Sequence, residues 1–551
     1  MRALCIWRNH FIRQDSHRLT MGDHFTVARR LLSKIADYLQ SKTLTTQHAL
    51  NAQAIIFTFA TVFSLLVFYR VLLHPLAHVP GPFLAKVSGF WRTYHYFRGT
   101  WHDDIIMLHK KYGRVVRIAP NEVAIVDEQA MKRLYGHGQN APKTDWYKVW
   151  EVPDTAPQLF AERDKKVHGF LRKRLAGAYS MTSMMKYEVH IQGCLDLMLS
   201  QLAKHAKKGH AVDMSNWTNA FAFDVVGELA YGQQLGHLKT ESDVNGLRKT
   251  IFNGFFLISN FGHIPTQGWA INSRLTATIA KLLGAAPPMD SFREWTSQKV
   301  RDRMDNMTDQ RREDMLAHFC RMKDAKGNPA SFGEVLMEAL NIIGAGADTT
   351  SIGMRTCLYR LCLDKKAYAR VQNEVDQFYA QNGLVEPIKY LQCQQLPYLQ
   401  AIVKESTRLL PSIVYQLLRY APENFEVRGH RIPAGTPVGI SPIAQNRDTD
   451  IWGEDADLFR PERWIEDTAR AKYLDSNNMT FGGNGPRMCI GKNIALVELQ
   501  KFIAQFVYHF DFELIDEENP WRITTYWFAY QHDLNMKLRL RPDRMPRPVY
   551  D

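Results

Sequence analysis

Cys489 lies in the run Thr480-Phe-Gly-Gly-Asn-Gly-Pro-Arg-Met-Cys-Ile-Gly-Lys492, with Arg487 two residues before it and Gly491 two residues after it. An apolar helical spacing follows at Ile494, Leu496, Val497 and Leu499. A thiolate is held by nearby N–H donors, and glycines let a backbone come close to a large partner. The start of a helix supplies N–H groups that have no intrahelical acceptor. Arg487 adds a fixed cation for a carboxylate of whatever the sulfur binds. A free cysteine on its own is more often a core thiol, so it is the surrounding residues that favour a ligand.

A second concentration of chemistry is Gly344-Ala-Gly-Ala-Asp-Thr-Thr350. It interrupts a helical pattern that opens on a Ser331/Glu334 capping box, runs through Val335, Leu336, Ala339, Leu340 and Ile343, and resumes at Ile352, Leu358 and Leu361. Each glycine costs a helix interior about 1 kcal/mol, and Asp and Thr are poor formers as well. The spacing predicts a kink or widened turn of the kind found at functional sites. Close helix packing on small residues is the alternative. Asp348 and Thr349 put an acid and a hydroxyl beside that gap, the parts of a water-fed proton relay.

Other charged residues fall at helical spacing. Residues 164–175 read as a helix with His168 and Arg172 one turn apart, and a solvated basic face is the ordinary explanation. Glu405 and Arg408 share a helix face, and Pro461-Glu-Arg463 follows. An exposed pair of this kind contributes only a few tenths of a kcal/mol. The alternating segments 115–119 and 122–126 predict strands, and 431–438 predicts a hairpin around Pro-Ala-Gly. Residues 136–141 match a loose dinucleotide-binding pattern but lack the strand and helix that pattern needs, and read as a loop.

Composition narrows the class. Seven cysteines, an odd number without a C-x-x-C pair, argue against a disulfide scaffold or zinc cluster and suit a reducing compartment. The net charge is +13, of which residues 1–74 carry +6. A basic, apolar-tailed chain suits an anionic membrane surface or an acidic protein, and no motif points to nucleic acid. Residues 54–69 contain no charge and, with 71–73, make about 20 apolar residues, enough to cross a bilayer. The expected organisation is a basic segment 1–50 with a surface helix over 24–39, a membrane anchor 51–73, a stiff proline-rich hinge 74–82 and one domain 83–551.

The cysteine loop resembles the haem-binding signature of the cytochrome P-450 family, the haem-thiolate monooxygenases. Gly485, Arg487, Cys489 and Gly491 match in register, whereas Phe481 lies one residue further from the cysteine than the family pattern has it. The extra residue is expected to bulge at Gly483-Asn484 and shift Phe481. The run 344–350 resembles the family's oxygen-activation motif, and Glu405, Arg408 and Arg463 its invariant salt-bridge triad.

The resemblance covers residues 80–551. It implies a mainly α fold with a small β region behind one transmembrane helix, and haem b carried on Cys489. His168, Arg172, Arg419 and Arg487 are then expected to bind the haem propionates. Asp348 relays protons and Thr349 offers a hydroxyl at the dioxygen site. The implied reaction inserts one oxygen atom from dioxygen into a lipophilic molecule, with electrons from an NADPH-dependent cytochrome reductase and cytochrome b5 as a further donor. Residues 252–261, 342–346, 413–417 and 526–528 are the implied pocket walls. The hinge and Ala178-Tyr-Ser180 are similar to fungal membrane-bound members, many of which tailor terpenoids, polyketides or alkaloids, and this places the chain at the endoplasmic reticulum with a cytosolic domain. A haem-thiolate isomerase or dehydratase, or a non-catalytic haem sensor, would use the same fold.

Overall fold

The computed structural model describes residues 46–139, 141–151, 156–264, 290–306, 312–547 and 549. The helix expected over 24–39 lies outside them. The chain divides into two units, Met1–Tyr69 and Arg70–Asp551. The first holds helix α1 (Thr46–Phe68), followed by a π-helical turn at Tyr69–Leu73. Within this stretch Gln53–Leu73, 21 residues with no buried share, is long and apolar enough to cross a membrane. Among the described residues it is the one such segment.

The second unit is mainly helical. Its long helices near the site are α2 (Lys165–Leu175), α3 (Met181–Lys207), α4 (Met214–Tyr231), α5 (Leu247–Phe261), α6 (Phe332–Leu363), α7 (Lys365–Gln381), α8 (Pro397–Leu409) and α9 (Lys492–His509). Their starts follow local chemistry. Asp164 accepts from the N–H groups of Lys166 and Val167 at the head of α2, and Ser331 and Glu334 close the expected capping box on α6. Phe221 and Val225 of α4, Ala339 and Ile343 of α6, and Val497 and Phe502 of α9 share one large buried cluster. Removing such side chains from water is the main favourable term in holding the helices together.

Helix α6 crosses the domain, about 48 Å at 1.5 Å per residue. It stays α-helical from Phe332 to Leu363, so the break expected at 344–350 does not interrupt it. The hydroxyls of Thr349 and Thr350 bond the carbonyls of Ala345 and Gly346 within the helix, at 2.8 and 3.0 Å. One of the two glycines serves packing: a Cβ on Gly346 would sit 3.0 Å from Val226 Cγ2 of α4, whereas one on Gly344 would meet nothing within 4 Å.

The β region is small. Strands β1 (Val115–Ala119) and β2 (Glu122–Ile125) form the predicted antiparallel pair and are buried along their whole length. Strand β3 (Val212–Asp213) precedes α4. Then come β4 (Arg419–Tyr420), β5 (Phe425–Val427), β6 (His430–Ile432) and β7 (Pro437–Ile440). The order in the main sheet is β1-β2-β7-β4, with β2 parallel to β7 through Val123↔Val438. The hairpin expected over 431–438 is therefore corrected. Its turn forms, with Gly435 at φ 79° and Thr436 N–H bonded to Pro433 O, but β6 pairs with β5 while β7 joins the main sheet. Near the C-terminus β8 (Phe510–Leu514) lies beside β11 (Asn535–Leu540), which also pairs with β3, and β9 (Arg522–Tyr526) folds back on β10 (Phe528–His532).

Candidate functional site

Gly482 and Gly483 in the cysteine loop take consecutive positive φ values, 82° and 81°. Asn484 points out and donates to the carbonyls of Asp475 and Ser476. Phe481 keeps a link to the ligand residue, its carbonyl accepting the Cys489 N–H at 2.9 Å, and its ring lies 5.6 Å from Lys492 Nζ. Gly485 is pressed so closely onto Tyr135 that a Cβ would stand 1.7 Å from the tyrosine carbonyl oxygen.

The Cys489 side chain is accessible, whereas Cys194, Cys320, Cys357, Cys362 and Cys393 are buried. Burial nevertheless pushes its thiol pKa up, so the space it meets lies inside the protein. The N–H groups of Gly491 and Lys492 and the charges of Arg172 and Lys492 act against that shift and favour the thiolate. A sulfur with N–H donors and internal space beside it can serve as a ligand to a group bound there.

Helix α6 also carries an accessible patch. Ala345 is exposed and Gly344, Gly346 and Thr349 are part-exposed, although the residues around them are largely buried. Thr349 is held by its own carbonyl, which accepts from Ser412 Oγ at 2.6 Å. Asp348 is buried, and its carboxylate accepts from Asn219 and Tyr530.

Cations gather near the cysteine loop. Arg172 donates to Met488 O, and Arg487 donates to the carbonyls of Glu162 and Arg163 at 2.7 and 3.1 Å. Arg419 bonds Tyr147 Oη and its neighbour's carbonyl, and the Nε atoms of Arg419 and Arg487 are buried without a partner. His168 is pushed down to about 3 by burial and then by Arg487, Lys143, Arg172 and Arg419. Lys143 completes the group. It forms a β-bridge with Arg419, donates to Phe160 O, and is held well below its usual pKa by burial and the charges of Arg487 and Arg419. Such mutual repulsion with unpartnered donors calls for an anion, and two carboxylates would satisfy it. Thus His168, Arg172, Arg419 and Arg487 do come together. The sequence carries no signal for Lys143, whose surroundings match no motif.

Behind the loop, Glu405 is completely buried. Arg408 grips it with two bonds of 2.8 Å, Arg463 Nε adds a third at 3.0 Å, and Trp464 Nε1 a fourth at 2.9 Å. Burial alone would raise the Glu405 pKa, but Arg408 and Arg463 outweigh it and hold the carboxylate low. Arg408 also bonds Asn446 O, and Asn446 Oδ1 accepts the N–H of Met479 at the start of the cysteine loop. The triad therefore braces the ligand through one asparagine.

Three of the expected wall segments meet in one aromatic cluster containing Phe252, Phe255, Tyr415, Trp527 and Phe528, while Ile342 belongs to the larger core. The β9–β10 hairpin is stitched to 412–414 by Val414 N–H to Trp527 O and Ala529 N–H to Ser412 O.

Residues 79–539 match the family model for cytochrome P450. The chain belongs to the cytochrome P450 family. The cytochrome P450 monooxygenase gsfF of Penicillium aethiopicum is 33% identical over 85% of this chain and 94% of its own length. A pisatin demethylase of Fusarium vanettenii is 31% identical over 84% and 88%, and the cytochrome P450 monooxygenase cicH of Emericella nidulans 30% identical over 86% and 95%. This cytochrome P450 is a haem-dependent monooxygenase, and its family carries the haem on a cysteine thiolate. The residues present fit that group: an accessible internal thiol backed by N–H donors, and unpartnered cations for its carboxylates.

Proposed function

We propose that this cytochrome P450 adds one oxygen atom to a lipophilic small molecule in fungal secondary metabolism, with Cys489 as the axial ligand of haem b. The observation that carries the assignment is the accessible Cys489 thiol inside the domain, beside a cluster of basic side chains in which Lys143, Arg172, Arg419 and Arg487 surround the neutral His168. Haem bound there supplies the oxidising chemistry, activating dioxygen with electrons from outside the chain.

The protein's own residues do the rest. Gly491 and Lys492 N–H groups keep charge on the sulfur, and Gly485 allows the loop its close approach to Tyr135. Lys143, His168, Arg172, Arg419 and Arg487 hold the carboxylate edge. Thr349 presents a hydroxyl on the accessible face of α6, and Asp348 supplies protons from the buried side. Glu405, Arg408 and Arg463 keep the loop in place.

The aromatic wall of Phe252, Phe255 and Phe528 favours a lipophilic substrate. Pisatin demethylase, by its name, acts on pisatin, and an organic tailoring substrate is the reading for this chain too. Electrons come from an NADPH-dependent cytochrome reductase, with cytochrome b5 as a second donor. Residues 51–73 anchor the protein in the endoplasmic reticulum membrane, after a basic segment 1–50 and before a hinge 74–82 and a cytosolic domain 83–551.

The test is the carbon-monoxide difference spectrum of the reduced protein. The thiolate-ligated band is expected in the parent and absent in Cys489→Ser. Its survival in that variant overturns the assignment, and product formed without NADPH or reductase would replace monooxygenation by an isomerase or dehydratase reaction.

A further inference from the structure

Asp348 is held from two directions by residues far away in the chain. Asn219 of α4 donates from Nδ2 to Oδ1 at 2.8 Å, and Tyr530 of β10 donates from its hydroxyl to Oδ2 at 3.2 Å. Each carboxylate oxygen thus has its own donor. Two arginines face the group, Arg355 from α6 and Arg248 from α5, but the bonds they make go to other groups. Arg355 bonds Gln531 O and Ser351 Oγ, each at 2.9 Å, and Arg248 bonds Asn216 O at 3.2 Å. Neither makes an ion pair with Asp348 among the described residues, so the two neutral donors fix where the carboxyl points.

Tyr530 is itself tightly placed. It is buried, pairs with Thr524 in the β9–β10 hairpin, and meets Phe252 of α5 edge-on at 4.7 Å. Thr349, the next residue round α6, bonds Ala345 O and not Asp348. With Oδ1 held by Asn219, a proton passing from Oδ2 of Asp348 to the accessible face of α6 requires exchange of the Tyr530 bond.

We propose that Tyr530 is a positioning residue for Asp348: its hydroxyl fixes the buried stance of the carboxyl, and proton delivery on the oxygen side of α6 proceeds only by exchange of that bond. The inference rests on Asp348 being the proton donor. Nothing in the local sequence of Tyr530 marks it, because the contact is made across 182 positions of chain. Electrostatics agree in sign. Burial pushes the Asp348 pKa up, while Asn219, Arg355, Tyr530 and Arg248 pull it down. Burial and the neighbouring Asp348 raise Tyr530 well above the usual phenol range, so it serves as a neutral donor throughout.

The experiment uses the full-length, haem-loaded enzyme. The carbonyl stretch of the protonated Asp348 carboxyl is followed by infrared difference spectroscopy against pH and assigned by its absence in Asp348→Asn. In Tyr530→Phe the midpoint is expected to rise by about one pH unit, since one donor to the charged form is lost. A 2,3-difluorotyrosine at 530, a stronger donor of nearly the same shape, is expected to move it the opposite way. Both proteins should keep the carbon-monoxide band of the thiolate-ligated parent. During reductase-driven NADPH oxidation, peroxide released per NADPH should rise in Tyr530→Phe, with a changed solvent isotope effect.

An unchanged midpoint in both substituted proteins overturns the proposal, because packing alone would not respond to donor strength. A peroxide yield in Asp348→Asn equal to that of the parent overturns the proton-donor role of Asp348 instead. The two failures are distinguishable, since the infrared midpoint needs no turnover.

Discussion

The guanidinium of Arg172 donates to the carbonyl oxygen of Met488 at 2.7 Å, one residue before Cys489. Helix α2 is thereby tied directly to the cysteine loop. The same arginine faces the sulfur, whose negative charge raises the Arg172 pKa against the lowering effect of burial. Arg172 thus serves loop and ligand at once, and its partner His168, one turn earlier, stays neutral inside the cation cluster.

Gly485→Ala should abolish haem-loaded protein. The added Cβ would meet Tyr135 backbone atoms at 1.7 and 2.8 Å, and no side-chain rotation relieves a clash with backbone. Overpacking of this sort costs about 1–3 kcal/mol or more. The ratio of haem absorbance to protein after purification checks it; a parent-like ratio would show that the loop can move away from Tyr135.

Lys143→Met keeps the length of a buried side chain but removes its charge. Haem is expected to leave the variant on the order of ten times faster, the lower range for loss of one charge-assisted bond. Transfer of haem to apomyoglobin measures the rate. An unchanged rate would remove Lys143 from the carboxylate cradle.

His168 makes the haem-free protein sensitive to mild acid. Its pKa of about 3 lies below the ordinary 6.5, so the folded state binds fewer protons than the unfolded chain between those values. The associated stability is complete above pH 6.5 and is lost as the pH falls towards 3. His168→Gln should therefore show a smaller drop in melting temperature from about pH 7 to pH 5. Haem loading should shrink the difference, because its carboxylates offset the cations around His168.

Glu405→Gln leaves Arg408 and Arg463 buried beside a neutral group. Breaking such a pair from one side costs about 3–5 kcal/mol, expected as a large fall in melting temperature. Glu405 has a depressed pKa, so its contribution is complete above the unfolded carboxylate value of about 4.3 and is lost as the pH falls through the lower folded one. Acid-melting curves of parent and variant should converge at low pH.

The chemistry of the site was legible where it lay in local runs. The cysteine loop, the capping box of α6 and the spacing of Glu405 and Arg408 each use neighbours within a few residues, and the helices and strands β1 and β2 follow from periodicity. Contacts between distant segments leave no such trace. Lys143 joins the cations through a bridge to Arg419, and Tyr530 reaches Asp348 from another strand. Helix propensity alone points to a break in α6 because it omits tertiary packing: Ala347, Asp348, Thr350 and Ser351 are buried against neighbouring elements, and Gly346 makes room for Val226 of α4. At 431–438 the turn chemistry was right, but partner choice was set by the sheet.

The parallel pairing of β2 with β7 fixes a timetable for assembly. Val123 finds its partner Val438 only after roughly three hundred further residues have been made, about 15–60 s of synthesis at ~5–20 residues per second. Arg419, on the strand that flanks β7 in the sheet, is made shortly before β7, and Cys489 emerges only after it. Throughout that interval the apolar strands β1 and β2 lack the neighbour that completes their sheet, and chaperones have their longest opportunity there. Haem capture is consequently a late event in the life of the chain, following translation of nearly all of it.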